Sequence, residues 1–352
     1  MMIEKGDICC TLTEEEVRND FAKLASLRAD QLVDRRDTWE IRSGAPTPGK
    51  LDILFRGIRT GQKLAQYHHW RHRVRTPTFW MQSGQSILEK WKANETTFLV
   101  GAMERVGRCD KKVTDERKLR YNVVRCNSAL MTLTHFRASV SKYFSDRTGA
   151  RDVLDFSAGW GDRLTGFLAS ESVRSITLVD PRPGSIQCCR RQHEHVRSSK
   201  TLVTHQDGAE KVLPLLSDGS VDLVLTSPPY FNLEKYGETE EESVGQIHRT
   251  VDTVEGYLSR FLSPVLRHSC RVLRPGGMLV VNIDDNAKAN VVICQSFLDI
   301  MQSLSEEMTF VGTAALRKSG GFGQFLHTVT RDKAEPIYIY QKVGGNFPPF
   351  DP

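Results

Sequence analysis

The sequence predicts an α/β fold in which helices cover both faces of a parallel, doubly wound sheet. From residue 151 onward, short apolar runs bounded by Gly, Asp or Pro alternate with amphipathic helical stretches, at intervals of roughly 20–50 residues. Such continuous apolar runs are typical of strands that are buried on both faces. The length of 352 residues, 39% hydrophobic and 26% charged, is that of a globular protein with room for two domains.

Seven apolar runs are strand candidates. Five of them are each followed by a polar loop and are expected to form the parallel part of the sheet: Asp152–Gly159, Ser175–Asp180, Leu202–Gly208, Val221–Ser227 and Gly277–Asp284. The last two, Met308–Leu316 and Pro336–Val343, follow one another without a long helix between them. This spacing predicts an antiparallel strand pair at one edge of the sheet.

The N-terminal part differs in character from the rest of the chain. Its first segment has apolar residues at helical spacing, at Val17, Phe21, Leu24, Leu27 and Leu32, and a loop at Gly44–Gly49 ends it. A second helix is predicted over residues 121–145. We therefore expect a basic N-terminal region over residues 1–117 and the α/β domain over residues 118–352.

The charge of the chain is unevenly distributed. The net charge is +5, but residues 56–125 alone hold 16 basic against 6 acidic residues, a net charge of +10. This distribution is typical of a surface that binds a polyanion. Within it, Arg side chains alternate with aromatic residues, and the candidates for nucleic-acid binding are Trp70, Arg71, Arg73 and Arg75, because cations neutralise phosphates and aromatic rings stack on bases.

The same segment has a second interpretation, in which its aromatic residues are buried and its arginines lie at the surface. His68, His69 and His72 share it and have the spacing of metal ligands on one face of a helix. No acidic or Cys residue lies nearby, so solvated or phosphate-facing histidines are favoured and no metal is expected.

The cysteines and the hydropathy indicate the environment of the chain. The eight cysteines include two adjacent pairs and no C-x-x-C, which favours reduced thiols over disulfides or zinc. No apolar stretch approaches 18 residues, so neither a secretory signal nor a membrane span is expected. A soluble, intracellular protein is predicted, with nucleus and cytoplasm both left open.

The informative residues should lie where the parallel strands end, because open α/β sheets bind ligands there. The first strand is followed by a loop in which Gly159 and Gly161 permit a tight turn and close backbone approach. Leu164 replaces the third glycine of G-x-G-x-x-G, which disfavours a loop that cradles pyrophosphate. The second strand ends at Asp180, which could accept hydrogen bonds from a ribose diol, and the third at Asp207, which could accept one from a purine amine.

The first three predicted strands thus end in acidic residues, Asp155, Asp180 and Asp207. Three carboxylates suit a cationic, amine-bearing nucleoside better than a phosphate. For Asp180 and Asp207, helix capping or a salt bridge is the alternative role.

The fourth strand ends in Ser227-Pro228-Pro229-Tyr230. Two successive prolines fix φ and remove two backbone donors, which leaves carbonyl groups directed into a pocket. An exocyclic base amine is conjugated and is a poor nucleophile. If the Ser227 side chain and the Pro228 carbonyl accepted its two protons, the nitrogen would move towards sp³ geometry and its lone pair would be localised. Tyr230 would stack on the target base.

Together, D-x-S-A-G-W-G after the first strand and S-P-P-Y after the fourth resemble the S-adenosylmethionine-dependent amino-methyltransferases of the DNA N4-cytosine/N6-adenine type, which carry [DNS]-P-P-[YFW]. The resemblance covers roughly residues 120–345 and implies the Rossmann-like, seven-stranded class I methyltransferase sheet. It also implies that a methyltransferase domain occupies residues 118–352 and that S-adenosyl-L-methionine is the cofactor. The implied catalytic residues are Ser227, Pro228, Pro229 and Tyr230, and the implied cofactor-binding residues are Asp155, Ser157, Gly159, Gly161, Asp180 and Asp207.

The first residue of the motif bears on the substrate. In the family that the chain resembles, Ser occurs more often in members that act on cytosine N4, and Asp in those that act on adenine N6. The resemblance therefore implies methylation of a nucleobase amine, with DNA as the favoured polymer and cytosine N4 slightly ahead of adenine N6. The alternatives are a methyltransferase of RNA bases, including cap-proximal ones, and a non-catalytic nucleic-acid-binding member of the fold.

Overall fold

The structure is a computed structural model that describes residues 10–34, 40–42, 51–55, 58–76, 86–93, 136–231, 244–285, 292–317, 328–330 and 334–345. Every predicted site residue lies in these ranges. The boundary between residues 117 and 118 lies outside them, so the division into two domains stays a prediction. The part of the predicted second helix before residue 136 lies outside them too, as does the loop that follows Phe231.

The described residues form a central sheet of nine strands. Its strands, in spatial order, are β1 (Val33–Asp34), β3 (Leu51–Phe55), β9 (Met308–Arg317), β11 (Ala334–Lys342), β8 (Leu273–Asn282), β7 (Val221–Thr226), β4 (Asp152–Asp155), β5 (Ser175–Val179) and β6 (Thr201–His205). The five strands from β6 to β8 are parallel to one another, and β11 is antiparallel to both of its neighbours. This arrangement confirms the predicted α/β class, but the described sheet has nine strands and not the implied seven, because β1 and β3 extend it.

The order of the strands creates a switch point between β4 and β7. From β4 the chain continues outward through β5 and β6, and it then returns to place β7 and β8 on the opposite side of β4. The loops that follow β4 and β7 therefore leave the same edge of the sheet in divergent directions. In open α/β sheets this is where ligands bind.

Both faces of the central part of the sheet are buried, which explains why β4 and β7 are mostly apolar, whereas the edge strand β6 is partly exposed and carries polar residues. Successive residues of one strand alternate between two hydrophobic cores: Leu154 and Val224 belong to one core, and Val153 and Leu223 to the other. Five of the six residues of β7 are buried. The period-2 geometry of a strand thus requires apolar side chains at every position when helices cover both faces.

The predicted antiparallel pair forms between β9 and β11, but it is not the edge of the sheet. The N-terminal strand β3 pairs in parallel with β9, and β1 then pairs with β3. Burial drives this addition, since Ile53 and Phe55 are fully buried and the Phe55 ring lies 5.3 Å from that of Tyr143. A separate two-stranded sheet joins β2 (Glu40–Arg42) to β10 (Thr328–Thr330).

The helices pack on both faces of the sheet. The N-terminal helix begins at a capping box: Thr13 Oγ1 accepts from the Glu16 N–H at 3.1 Å, and the Glu16 carboxylate accepts from the Thr13 N–H at 2.8 Å. The predicted second helix is observed at Ala138–Thr148. The helices are α1 (Glu14–Ser26), α2 (Ala29–Leu32), α3 (Gln62–Arg75), α4 (87–93), α5 (Ala138–Thr148), α6 (Asp162–Ala169), α7 (Pro183–His195), α8 (Ala209–Val212), α9 (Val254–Tyr257), α10 (Ser263–Val272) and α11 (Cys294–Gln302).

In the part of the chain that the structure describes, no helix has the length and apolar content needed to cross a bilayer.

Candidate active site at the switch point

A buried carboxylate connects the two loops at the switch point. Asp155, at the end of β4, is fully buried, and its Oδ2 accepts from Arg163 Nε at 2.7 Å. Its Oδ1 accepts from the Ser157 N–H at 3.1 Å and from the Thr226 hydroxyl at 3.0 Å. Because Thr226 is the last residue of β7, this carboxylate fixes the loop after β4 against the end of β7. The predicted contact of Asp155 and Ser157 with a cofactor stays a prediction.

The two predicted glycines of this loop have different roles. Both have a positive φ, which explains the residue type. A Cβ at Gly161 would clash with Gln192 Nε2, so this glycine permits close packing of the loop against α7. A Cβ at Gly159 would meet only the Ser157 carbonyl oxygen at 3.5 Å and Arg163 at 4.0 Å, both ordinary contacts. Gly159 is therefore the position at which the loop leaves room for a ligand.

Asp180 lies directly beside Gly159. Its Oδ2 accepts from the Gly159 N–H at 2.8 Å, and its Oδ1 accepts from the Arg182 N–H at 2.9 Å. Burial raises the pKa of this carboxyl group. The acidic group that the sequence assigned to a ribose diol is thus placed against the open glycine, and its contact with ribose stays a prediction.

Asp207 lies further out, after β6 at the edge of the sheet. Its Oδ1 accepts from the Gly208 N–H at 2.7 Å and from Lys211 Nζ at 2.9 Å. The hydrogen bond from Lys211 lowers the pKa of Asp207, and both side chains are about half exposed. The structure therefore gives Asp207 the salt bridge that was its alternative role, and the contact with an adenine amine stays a prediction.

The proline corner, Ser227–Tyr230, follows β7 and is held from two sides. On one side, Tyr257 OH donates to the Pro229 carbonyl oxygen at 2.7 Å, and the Phe231 N–H donates to the same oxygen at 3.0 Å. Burial raises the pKa of Tyr257, which keeps its hydroxyl protonated as a donor. The Pro229 oxygen is therefore occupied. Among the described residues, no hydrogen bond is donated to the Pro228 carbonyl oxygen.

On its other side, the proline corner contacts Asn282, the last residue of β8. Asn282 Oδ1 accepts from the hydroxyl groups of Ser227 at 3.4 Å and of Tyr230 at 3.3 Å. Asn282 Nδ2 donates to the Pro336 carbonyl oxygen at 2.9 Å, which anchors the amide on β11. The corner is thus fixed on β8 and, through Asn282, on β11, and Thr226 directly before it is hydrogen-bonded to Asp155 at the start of the loop that carries Gly159.

Asn282 and Tyr257 were not identified from the sequence. Asn282 had a usable signal, because it is a polar residue near the end of the fifth predicted strand, where functional residues are expected. Tyr257 had none, since its hydroxyl reaches the corner only through the packing of α9.

The helix α3 carries the predicted nucleic-acid residues in two orientations. Trp70 and Arg73 are buried, and the Arg73 guanidinium lies 5.7 Å from the centre of the Trp160 ring in the glycine loop. Arg71 is exposed and Arg75 is half-buried. Trp70 and Arg73 therefore pack inside the protein. Arg71 and Arg75 reach the surface, where their contact with phosphate stays a prediction.

The histidines of α3 are neutral near pH 7. Burial lowers the pKa of both His68 and His72 to about 4, and it lowers the pKa of the fully buried His69 well below its usual value. They therefore add no charge to a polyanion-binding surface at neutral pH. In the described ranges, no cluster of three or more His, Cys, Asp or Glu residues is arranged to hold a metal ion.

Comparison with known proteins finds a family match over the C-terminal part of the chain. Residues 221–349 match the family described as DNA methylase, a range that includes the proline corner and Asn282. No curated protein matches the chain. Two solved structures that it resembles are the N-methyltransferase NodS from Bradyrhizobium japonicum in complex with S-adenosyl-L-homocysteine (10% identity, TM-score 0.37, covering 61% of this chain and 93% of that one) and a methyltransferase from Pyrococcus furiosus (13% identity, TM-score 0.37, covering 58% and 81%).

Proposed function

We propose that this chain, whose residues 221–349 match the DNA methylase family, transfers a methyl group from S-adenosyl-L-methionine to an exocyclic amino nitrogen of a nucleobase. The observation that carries this proposal is the hydrogen bond from Thr226 to Asp155 across the switch point. It joins the proline corner, which offers acceptors to an amine, to the glycine loop, which leaves room for a cofactor. Donor and acceptor of the methyl group would thus meet in one crevice.

The residues around Gly159 fit the proposed cofactor. The backbone leaves space at Gly159, and the buried carboxylate of Asp180 lies against it. Gly159, Gly161, Ser157 and Asp180 would hold the cofactor, with Asp155 fixing the loop behind them and Asp207 at the edge. When bound, S-adenosyl-L-methionine would supply an electrophilic methyl group on a positively charged sulfur: the nitrogen–carbon bond would form as the sulfur–carbon bond breaks, S-adenosyl-L-homocysteine would leave, and the amine would release one proton to solvent.

The proline corner would prepare the amine for attack. The Pro228 carbonyl oxygen accepts one amino proton and the Ser227 hydroxyl the other. This draws the nitrogen towards sp³ geometry and localises its lone pair. Tyr230 packs against the hydrophobic core and is partly exposed, and its ring would stack on a base turned out of its helix. Alignment of the amine in the crevice supplies a large part of the rate.

We propose DNA as the polymer, with cytosine N4 slightly ahead of adenine N6 because the motif begins with Ser227. The basic segment over residues 56–125 supports a polyanionic substrate, and the exposed Arg71 and half-buried Arg75 are its described candidates for phosphate contact. Methylation of an RNA base would use the same chemistry, and the test below distinguishes it by comparing DNA with RNA as substrate.

Two measurements test the proposal. Calorimetry should detect binding of S-adenosyl-L-methionine to the wild-type chain and to Ser227→Ala alike. Incubation with methyl-labelled cofactor and either DNA or RNA, followed by mass spectrometry of the nucleosides, should place the label on an amino-bearing base. Cofactor binding without label on any base would leave the chain as a non-catalytic member of the fold.

A further inference from the structure

Serine at the start of the proline corner raises a chemical problem. An exocyclic amine is a pure hydrogen-bond donor through its two protons, so each group that faces it must accept. The side chains of Asp and Asn carry an oxygen that only accepts. A hydroxyl accepts from the amine without conflict only when its own hydrogen is directed elsewhere. Ser227 therefore needs a second acceptor nearby to take its hydrogen.

Asn282 supplies an acceptor at this position. It is 2% exposed, and its Oδ1 lies 3.4 Å from Ser227 Oγ. The orientation of the amide is fixed by the opposite end of the group, because Nδ2 can only donate and faces the Pro336 carbonyl oxygen at 2.9 Å. Since Asn282 is paired with Ile337 across the antiparallel strands β8 and β11, the sheet itself holds the amide in register.

We propose that Asn282 is the positioning residue that makes Ser227 a hydrogen-bond acceptor for the substrate amine, an inference that rests on the proposed function. The Ser227 hydrogen is directed to Asn282 Oδ1, and the free lone pairs of Ser227 Oγ are directed into the crevice. Ser227 and Asn282 together provide what a single Asp or Asn side chain provides in the other forms of the motif.

The Tyr230 hydroxyl also donates to Asn282, whose Oδ1 lies at 3.3 Å and whose backbone carbonyl oxygen lies at 3.4 Å. Both hydroxyl hydrogens of the corner are therefore directed away from the crevice, and the tip of the Tyr230 ring is anchored. A crevice that faces the substrate with acceptors alone selects for amino groups. A keto oxygen in the place of the amine would face the Pro228 carbonyl and Ser227 Oγ with no donor, which is the arrangement that buried polar sites reject most strongly.

The first test measures turnover in a double-mutant cycle. Asn282→Ala should lower kcat by roughly 10- to 100-fold, with the affinity for S-adenosyl-L-methionine unchanged by calorimetry. Ser227→Ala combined with Asn282→Ala should be no slower than Ser227→Ala alone, because both changes remove one acceptor. In the Asn282→Ala background, Ser227→Asn should restore turnover, since the new side chain carries its own acceptor oxygen.

A matched control is available in the same pair of strands. Gln341 on β11 donates from Nε2 to the Gly276 carbonyl oxygen at 3.0 Å, so it is also an amide that links β11 to β8, at the far end of the two strands. Gln341→Ala should leave kcat unchanged. If Asn282→Ala and Gln341→Ala lowered kcat equally, Asn282 would have only the structural role of joining two strands, and the proposal would be wrong.

A binding measurement keeps this inference separate from methyl transfer. Single-stranded oligonucleotides that differ only in cytosine or uracil, and adenine or hypoxanthine, at one position are titrated into the S-adenosyl-L-homocysteine-saturated protein by fluorescence anisotropy. The wild-type chain should prefer the amino base by about tenfold or more, and Asn282→Ala should lose this preference. An amine preference that depends on Asn282 without any turnover would refute the proposed transfer alone. If Asn282→Ala turned over as fast as the wild type, or if the wild-type chain showed no preference for the amino base, the proposed role of Asn282 would be wrong.

Discussion

The proline corner and helix α3 were both singled out from the sequence, and the structure places their residues very differently. In the corner, Ser227 and Tyr230 contact the same atom, Asn282 Oδ1, at the switch point. In α3, the predicted surface divides: Trp70 and Arg73 are buried and Arg71 is exposed. Two prolines fix the path of the corner from within the chain, whereas the packing of α3 against α1, α6 and α7 decides which of its arginines reach solvent.

The sharpest contrast in stability lies between two carboxylates at strand ends. Asp155 is fully buried in an ion pair with Arg163, whose side chain is 7% exposed. Asp155→Ala would leave that guanidinium buried without its partner, and we expect a loss of about 3–5 kcal/mol in the free energy of unfolding. Asp207→Ala removes a half-exposed pair and should cost less than about 1 kcal/mol. Urea denaturation of both variants checks this. Equal losses of unfolding free energy would contradict the conclusion that Asp155 holds the loop after β4 against the end of β7.

Removal of the stacking ring should lower turnover far more than it lowers the stability of the fold. Tyr230→Ala is expected to lower kcat by about 100-fold, because the base would lose its stacking partner and its orientation. Cofactor affinity should stay near that of the wild type. Buried Tyr340, whose ring packs on Phe297 and Phe310 away from the corner, gives the control variant Tyr340→Ala, which should lower stability more than turnover per folded molecule. Undiminished turnover in Tyr230→Ala would remove the corner from the reaction.

A smaller effect is expected when one support of the corner is removed. Tyr257→Phe deletes the hydroxyl that donates to the Pro229 carbonyl oxygen and keeps the buried ring. The Phe231 N–H still occupies that oxygen, so the loss of stability should be about 1 kcal/mol. Turnover should fall several-fold as the corner gains freedom, with cofactor affinity unchanged. Tyr340→Phe is the matched control, and a similar loss of turnover in both variants would show that Tyr257 does not position the corner.

The smallest effect is expected on the exposed side of α3, where substitutions should change DNA binding and leave the fold intact. Charge reversal of Arg71 and Arg75 to Glu should weaken binding to DNA and lower the slope of log K against log salt by about one for each lost phosphate contact. Stability should change little, since Arg71 is exposed. Arg73→Glu is the comparison, because a buried acidic group beside Trp160 should destabilise the fold instead. An unchanged salt slope in the Arg71 and Arg75 variant would leave α3 without a role in binding.

These differences show which parts of the fold and site can be predicted from the sequence. The central strands of the parallel sheet are mostly apolar, and Asp155, Asp180 and Ser227 lie at one edge of the sheet because the parallel strands that they end or follow run in the same direction. The attachment of β3 to β9 was not predictable, because it depends on packing between residues more than 250 positions apart, such as Phe55 with Leu316. Tyr257 could not be identified as a support of the corner either, since its hydroxyl reaches Pro229 only through packing, whereas Asn282 had a signal in its place near the end of the fifth predicted strand.

The position of the transferred methyl group on the base tests the central claim most directly. The wild-type chain is incubated with methyl-labelled S-adenosyl-L-methionine and DNA, and the labelled nucleoside is identified by tandem mass spectrometry. We predict that the label lies on an exocyclic nitrogen, with N4-methylcytosine ahead of N6-methyladenine, and that Ser227→Ala abolishes most of it. Label on a ring carbon or a ring nitrogen would contradict the account, because the proline corner would then not be the group that receives the amine.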